Sequence, residues 1–161
     1  MAKITSLVEK LKSSDVFAHL PHPITFEEGH SFSWHYSTHT LTYDARDAHA
    51  DQFLLHEIGH AILDHRDYSY DIHLIEMERT AWDKAREIAP THGIVIDSDL
   101  IEDSLDSYRD WLHARSLCPR CGSTGVQDGR RNYICLACHR EWRANEARTC
   151  QLRRYRTKKR P

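Results

Sequence analysis

Four cysteines in two close pairs, Cys118-Pro119-Arg120-Cys121 and Cys135-Leu136-Ala137-Cys138, set the tightest limit on how this 161-residue chain folds. The segment that carries them is polar and arginine-rich, with little besides Tyr133, Ile134 and Trp142 to make a core. So short a stretch buries too little apolar surface to fold unaided. Two Cys-x-x-Cys pairs can gather four thiolates round one ion, a closed tetrahedral site of the structural zinc kind, and metal binding then contributes on the order of 10 kcal/mol to folding. A zinc ribbon is therefore expected over residues 117–145. The fifth cysteine, Cys150, stands outside the paired spacing and is expected to be a free thiol.

Hydrophobic residues at 40% and charged residues at 29% describe an ordinary globular chain and exclude a wholly disordered one. No apolar run is long enough to span a bilayer, so no membrane association is expected. Residues 1–11 mix charged and apolar side chains without a secretory pattern, which leads to an expected cytoplasmic location, where thiols stay reduced and bind metal rather than form disulfides. Net charge is −2 but unevenly placed. Residues 1–117 carry 10 Lys and Arg against 21 Asp and Glu, whereas residues 118–161 carry 12 against 3. An acidic body joined to a basic end implies two modules with different partners, and nucleic acid is a candidate partner for the basic one. Residues 146–161 are expected to form a basic tail.

Ahead of the cysteines, Ile4, Leu7, Val8 and Leu11 share one helical face. Alternation at Ile24 and Phe26, at Phe32, Trp34 and Tyr36, and at Leu41 and Tyr43 predicts short strands, the last two joined as a hairpin through residues 37–40. Phe53, Leu54, Ile58, Ala61 and Ile62 then recur at helical spacing, with Asp44 or Asp47 available to cap the start. A second helix is expected from about Asp71 to Ala89, ended by Pro90 and Gly93. A third, capped by Asp97 or Ser98, runs to about Arg115. The fold class is thus α+β: a small antiparallel sheet packed with helices over residues 1–116, followed by the ribbon.

On the helix with Phe53 and Leu54 stand His56-Glu57-Ile58-Gly59-His60. Histidines four residues apart lie one turn from each other on one face, so both imidazoles can reach one metal ion, and Glu57 projects beside them. A catalytic zinc needs a third protein ligand and an open fourth position for water. Glu76 and Glu78 on the next helix are the carboxylate candidates, and because two residues turn a helix by about 200°, only one of them can face the ion. Metzincins are excluded, because Leu63 and Arg66 occupy the positions of that subclass's glycine and third histidine.

The stretch His56 to His65, followed by Glu78-Arg79-Thr80-Ala81, resembles the ImmA/IrrE-type metallopeptidases, in which a His-Glu-x-x-His helix precedes a helix bearing Glu-x-x-Ala. The resemblance covers roughly residues 42–111. It implies a minimal zincin-like, gluzincin-type fold with Glu78 as third zinc ligand, Glu57 as general base, and a protein substrate, typically a transcriptional regulator. Two zinc ions are then expected, one catalytic on His56, His60 and Glu78 and one structural on Cys118, Cys121, Cys135 and Cys138. Where the family often has Asp or Asn to support a zinc-bound histidine, this chain has Trp82, and Asp64 is a substitute on the face of His60. Tyr68, Tyr70 or a nearby histidine would complete the site as oxyanion donor.

Two other readings compete with this one. A SprT-like protease acting on DNA-associated proteins also joins His-Glu-x-x-His to a cysteine ribbon, and would take a downstream histidine, His73 or His92, as third ligand. A non-enzymatic regulator would use the ribbon to bind nucleic acid and keep the histidine site only as a structural element; Glu57 speaks against it, because a structural site needs no carboxylate beside an open position.

Overall fold

The computed structural model describes residues 2–145 and 152–157; Cys150 and the cations Lys158, Lys159 and Arg160 lie outside them. The chain divides into two compact units, one formed by Met1–Asp67 and Glu76–Ile101, the other by Tyr68–Ile75 and Glu102–Pro161. The architecture is α+β, with four α-helices and two small sheets. No described helix is long and apolar enough to cross a membrane.

In the first unit, α1 (Ala2–Lys12) buries Ile4, Leu7, Val8 and Leu11, the face that their spacing predicts. Three strands follow: β1 (Thr25–Glu28), β2 (Ser33–His35) and β3 (Thr40–Tyr43). Strands β2 and β3 form the expected hairpin, with Trp34 opposite Leu41. The sheet is nevertheless mixed rather than antiparallel, because its order is β1-β3-β2 and β1 runs parallel to β3. The cause is the short link over residues 29–32. Gly29 donates its N–H to the Tyr43 carbonyl at 2.8 Å, at the end of β3, and the chain then crosses to pair β2 with the far edge. A side chain at Gly29 would press against Thr42, its Cβ only 2.7 Å from Cγ2.

Helix α2 (Ala50–Ile62) lays Leu54, Leu55, Ile58 and Ala61 into the core and packs against α1, β2 and β3. Neither aspartate expected to cap it does so. His49 is the N-cap residue, Asp47 accepts the His49 N–H at 2.7 Å just before the helix, and Asp44 is taken up by a two-pronged pair with Arg46. Helix α3 (Asp71–Ile88) ends in a 3-10 turn over Ala89–His92, and Gly93 at φ 68° turns the chain away, as Pro90 and Gly93 foretell. Helix α4 (Ser98–Ser116) is capped by Asp97, whose carboxylate accepts the Asp99 N–H at 2.9 Å.

The second unit holds a four-stranded antiparallel sheet in sequence order, β4 (Val126–Gln127), β5 (Asn132–Ile134), β6 (Glu141–Ala144) and β7 (Arg154–Arg156). Its core is Cys118, Tyr133, Cys135, Trp142 and Ala144, with Tyr133 and Trp142 stacked at 5.5 Å between ring centroids. Composition changes at residue 117, yet α4 from Glu102 onward groups with this unit. The reason lies in Arg115, which is fully buried: its guanidinium sits 4.7 Å above the Trp111 ring, and its carbonyl accepts the Trp142 indole N–H at 3.0 Å. Asp71 joins from the start of α3, donating its N–H to Gln127 and accepting the Tyr133 hydroxyl. Burial and that acidic partner together raise the Tyr133 pKa above the ordinary phenol value. Residues 154–156, within the expected tail, are a paired strand.

Candidate metal centres

Helix α2 offers His56 and His60 from one face, and α3 offers Glu78 against them. The two helices come this close because residue 59 is glycine; a Cβ there would lie 2.3 Å from the Ala81 carbonyl oxygen. His56 Nε2 is 3.1 Å from Glu78 Oε2 and 3.2 Å from His60 Nε2, and His60 Nε2 is 3.6 Å from the same carboxylate oxygen. A tetrahedral ion with bonds near 2.0–2.1 Å has ligand atoms about 3.3 Å apart, so this triangle fits one. All three residues are under a tenth exposed, and together they form a buried group suited to hold a metal ion. Burial alone would push the Glu78 carboxyl up, but the two imidazoles outweigh it and hold the group well below the carboxylate range. Burial works against a charged His60 as well, yet Glu78 raises its pKa above the usual imidazole value. A carboxylate so placed between two imidazoles completes a donor set suited to a cation. Glu76, the other carboxylate candidate, is exposed.

A feature that sequence reasoning missed stands behind His60. Asp64 adopts φ 49° after the helix end, the Asp64 N–H bonds the Ala61 carbonyl, and the His65 N–H bonds the His60 carbonyl. This Schellman ending folds the chain back on the last turn. It places His65 Nδ1 2.9 Å from His60 Nδ1, and His65 Nε2 3.4 Å from the Thr80 hydroxyl, which in turn donates to the Glu76 carbonyl at 2.9 Å. The His60 tautomer with its proton on Nδ1 donates to His65 and keeps the Nε2 lone pair for a metal. Asp64 plays no part in this; its carboxylate pairs with Arg66 at 2.8 Å. Trp82, where a polar support is missing, stacks its indole on the His56 ring at 4.3 Å between centroids, and Phe53 backs the indole in turn. His56 is thus oriented by ring packing, His60 by hydrogen bonding. Sequence carried one faint sign of the His65 contact, a further histidine five residues after His60, although helical spacing predicts a helix running to about His65 and α2 ends at Ile62.

Glu57 lies beside the pair on α2. Burial raises its carboxyl pKa, while His56 and His60 pull it down and the Trp34 backbone N–H on β2 adds a hydrogen bond that does the same. β2 is an edge of its sheet, so this strand both orients Glu57 and leaves one flank unpaired among the described residues.

The four paired cysteines also converge. Cys118 and Cys138 sulfurs are 3.6 Å apart, Cys121 and Cys135 sulfurs 3.5 Å, and all four sulfurs lie within 4.8 Å of one another. Thiolates round a tetrahedral ion at about 2.3 Å stand about 3.8 Å apart, whereas a disulfide bond is about 2.05 Å. The group therefore fits a metal, and the four thiols are free of disulfides. Each pair closes a similar loop, with Gly122 N–H to the Cys118 carbonyl at 3.0 Å and His139 N–H to the Cys135 carbonyl at 2.8 Å. The residue after each second cysteine has positive φ, 75° at Gly122 and 56° at His139. Ser123 stabilises the Cys121 thiolate, bringing that thiol down to about 6 from 9.0.

Of the remaining candidates, His73 and His92 do not join the His56–His60–Glu78 group among the described residues, and Tyr68, Tyr70 and His73 belong to the other compact unit. Compared with models of known families, with curated proteins and with solved structures, the chain matches none.

Proposed function

We propose that the chain is a zinc-dependent endopeptidase whose active site is His56, Glu57, His60 and Glu78. The observation that carries this reading is the convergence of two imidazoles and one buried carboxylate on a single point, with a second carboxylate, Glu57, adjacent to that point but outside the ligand triangle. A purely structural ion has no use for that extra base. Zinc held there supplies Lewis acidity and acidifies a water. The chain's own groups do the rest. Glu57, steadied by the Trp34 N–H, takes a proton from the attacking water as its oxygen bonds the scissile carbonyl carbon. The same carboxyl then delivers that proton to the amide nitrogen as the C–N bond breaks. The free flank of β2 suits an extended peptide, which would gain main-chain hydrogen bonds there and lie next to Glu57.

A protein substrate follows from this reading, and a transcriptional regulator is the target class that the likeness of His56–His65 and Glu78–Ala81 to ImmA/IrrE-type enzymes implies. The four-cysteine group is proposed as a second, structural zinc site, closed to chemistry by its full set of thiolates.

The deciding experiment compares wild type with Glu57→Gln on an unstructured protein substrate. The variant should bind metal at the histidine site as before and lose cleavage by roughly two to four orders of magnitude. Equal cleavage by both would remove Glu57 from the chemistry.

A further inference from the structure

The described part of the cysteine unit, residues 118–145 and 152–157, carries eight arginines against two acids, Asp128 and Glu141. The register of its sheet sorts these side chains by face. Tyr133 and Trp142 are opposite one another on the buried side, while Asn132, Arg143 and Tyr155 form a row across β5, β6 and β7 on the other. Tyr155 is 51% exposed and Arg143 is exposed beside it, whereas Arg156, in register with Trp142, is exposed on the other side of β7. A groove of about 470 Å³ runs along this row, bordered by Arg131, Arg143, Tyr155 and Arg156. A second, of about 640 Å³, is bordered by Arg120, Arg140 and Arg156, so Arg156 lines both. Strand β7 is anchored as well as paired, since the Arg154 guanidinium donates to the Leu117 carbonyl at 2.7 Å.

We propose that this sheet face binds single-stranded nucleic acid, with phosphates against Arg131 and Arg143 and one base stacked on Tyr155. An aromatic ring set among guanidinium groups meets a ligand that alternates negative charge with flat apolar rings, and a single strand is such a ligand. An acidic peptide satisfies the arginines but gives the tyrosine nothing to stack. A duplex presents its bases edge-on, and strands of three or four residues offer no helix or long ribbon to enter a groove. The proposal stands independently of the peptidase reading, since every residue in it belongs to the cysteine unit.

The test is fluorescence anisotropy on the full metal-loaded chain with a labelled oligothymidylate of about 12 nucleotides, with the corresponding duplex and a polyglutamate of matched charge as the other arms. Two phosphate contacts predict a log–log salt slope of about −1.4, or roughly 7-fold weaker binding at 200 mM than at 50 mM salt. Tyr155→Ala should weaken single-strand binding about 10-fold, with Tyr155→Phe unchanged, because stacking needs the ring and not the hydroxyl. Arg143→Gln should flatten the slope by about 0.7. Thiolate-bound metal is measured on every variant, and if Tyr155→Ala loses it, Tyr155→Phe and Arg143→Gln decide the matter. Binding absent at 50 mM salt, duplex or polyglutamate bound as tightly as the single strand, or a salt slope unmoved by Arg143→Gln would each overturn the proposal.

Discussion

A lone pair on His60 Nε2 is available to an ion only while the ring's other nitrogen holds the proton, and that proton needs an acceptor. His65 supplies one at 2.9 Å and passes the constraint on to Thr80. Removing it in His65→Ala should weaken metal binding at the histidine site roughly 10- to 100-fold, read by chelator competition, and His65→Gln, which restores an acceptor, should recover part of the loss. Affinity unchanged in the alanine variant would show that the contact does nothing for the ligand. The same residue makes stability depend on pH. Burial, aided by His60, holds His65 at about 4 against the ordinary 6.5. Between those values the unfolded chain takes up a proton that the folded chain refuses, so this contribution is present above pH 6.5 and fades as pH falls toward 4. Urea midpoints of the metal-free protein at the two ends should differ by more in wild type than in His65→Gln.

Among elements, the pairing of α2 with α3 governs the site. Gly59→Ala places a methyl against the Ala81 backbone, where neither helix can give way by a rotamer change. A loss of about 1–3 kcal/mol is expected from chemical denaturation, with metal affinity falling too as Glu78 moves off the imidazoles. A stable variant with unaltered metal binding would mean that the helices separate freely. The helices were legible in the sequence, since Leu54, Ile58 and Ala61 recur at helical spacing and Asp97, Pro90 and Gly93 mark ends. The strands were legible too, but not their sense. Whether β1 lies parallel or antiparallel to β3 depends on where residues 29–32 cross, and side-chain alternation is the same in either case. Periodicity also left Glu76 and Glu78 undecided, because choosing between them requires the rotation of α3 about its axis. His65 escaped notice because its turn uses a left-handed Asp64 where a glycine is the usual signal.

For the molecule as a whole, the two ligand groups imply two metal equivalents per chain. Elemental analysis should find both in wild type. Cys135→Ser should lose one equivalent and, with it, the near-ultraviolet signal of the stacked Tyr133 and Trp142, because the sulfur and the rings share one small core. A variant that keeps two equivalents would show that the thiolates hold no ion. Acidic body and basic end, so distinct in composition, are less separable in connectivity. The chain passes between its compact units three times, after Asp67, after Ile75 and after Ile101. No single scission therefore yields two whole parts: a protease nick after Ile101 leaves residues 68–75, with Asp71 and its bond to Tyr133, on the fragment that lacks the cysteines. Such threading makes the cysteine segment a poor cassette for exchange by recombination, since a donor gene would have to bring a helix start along with it.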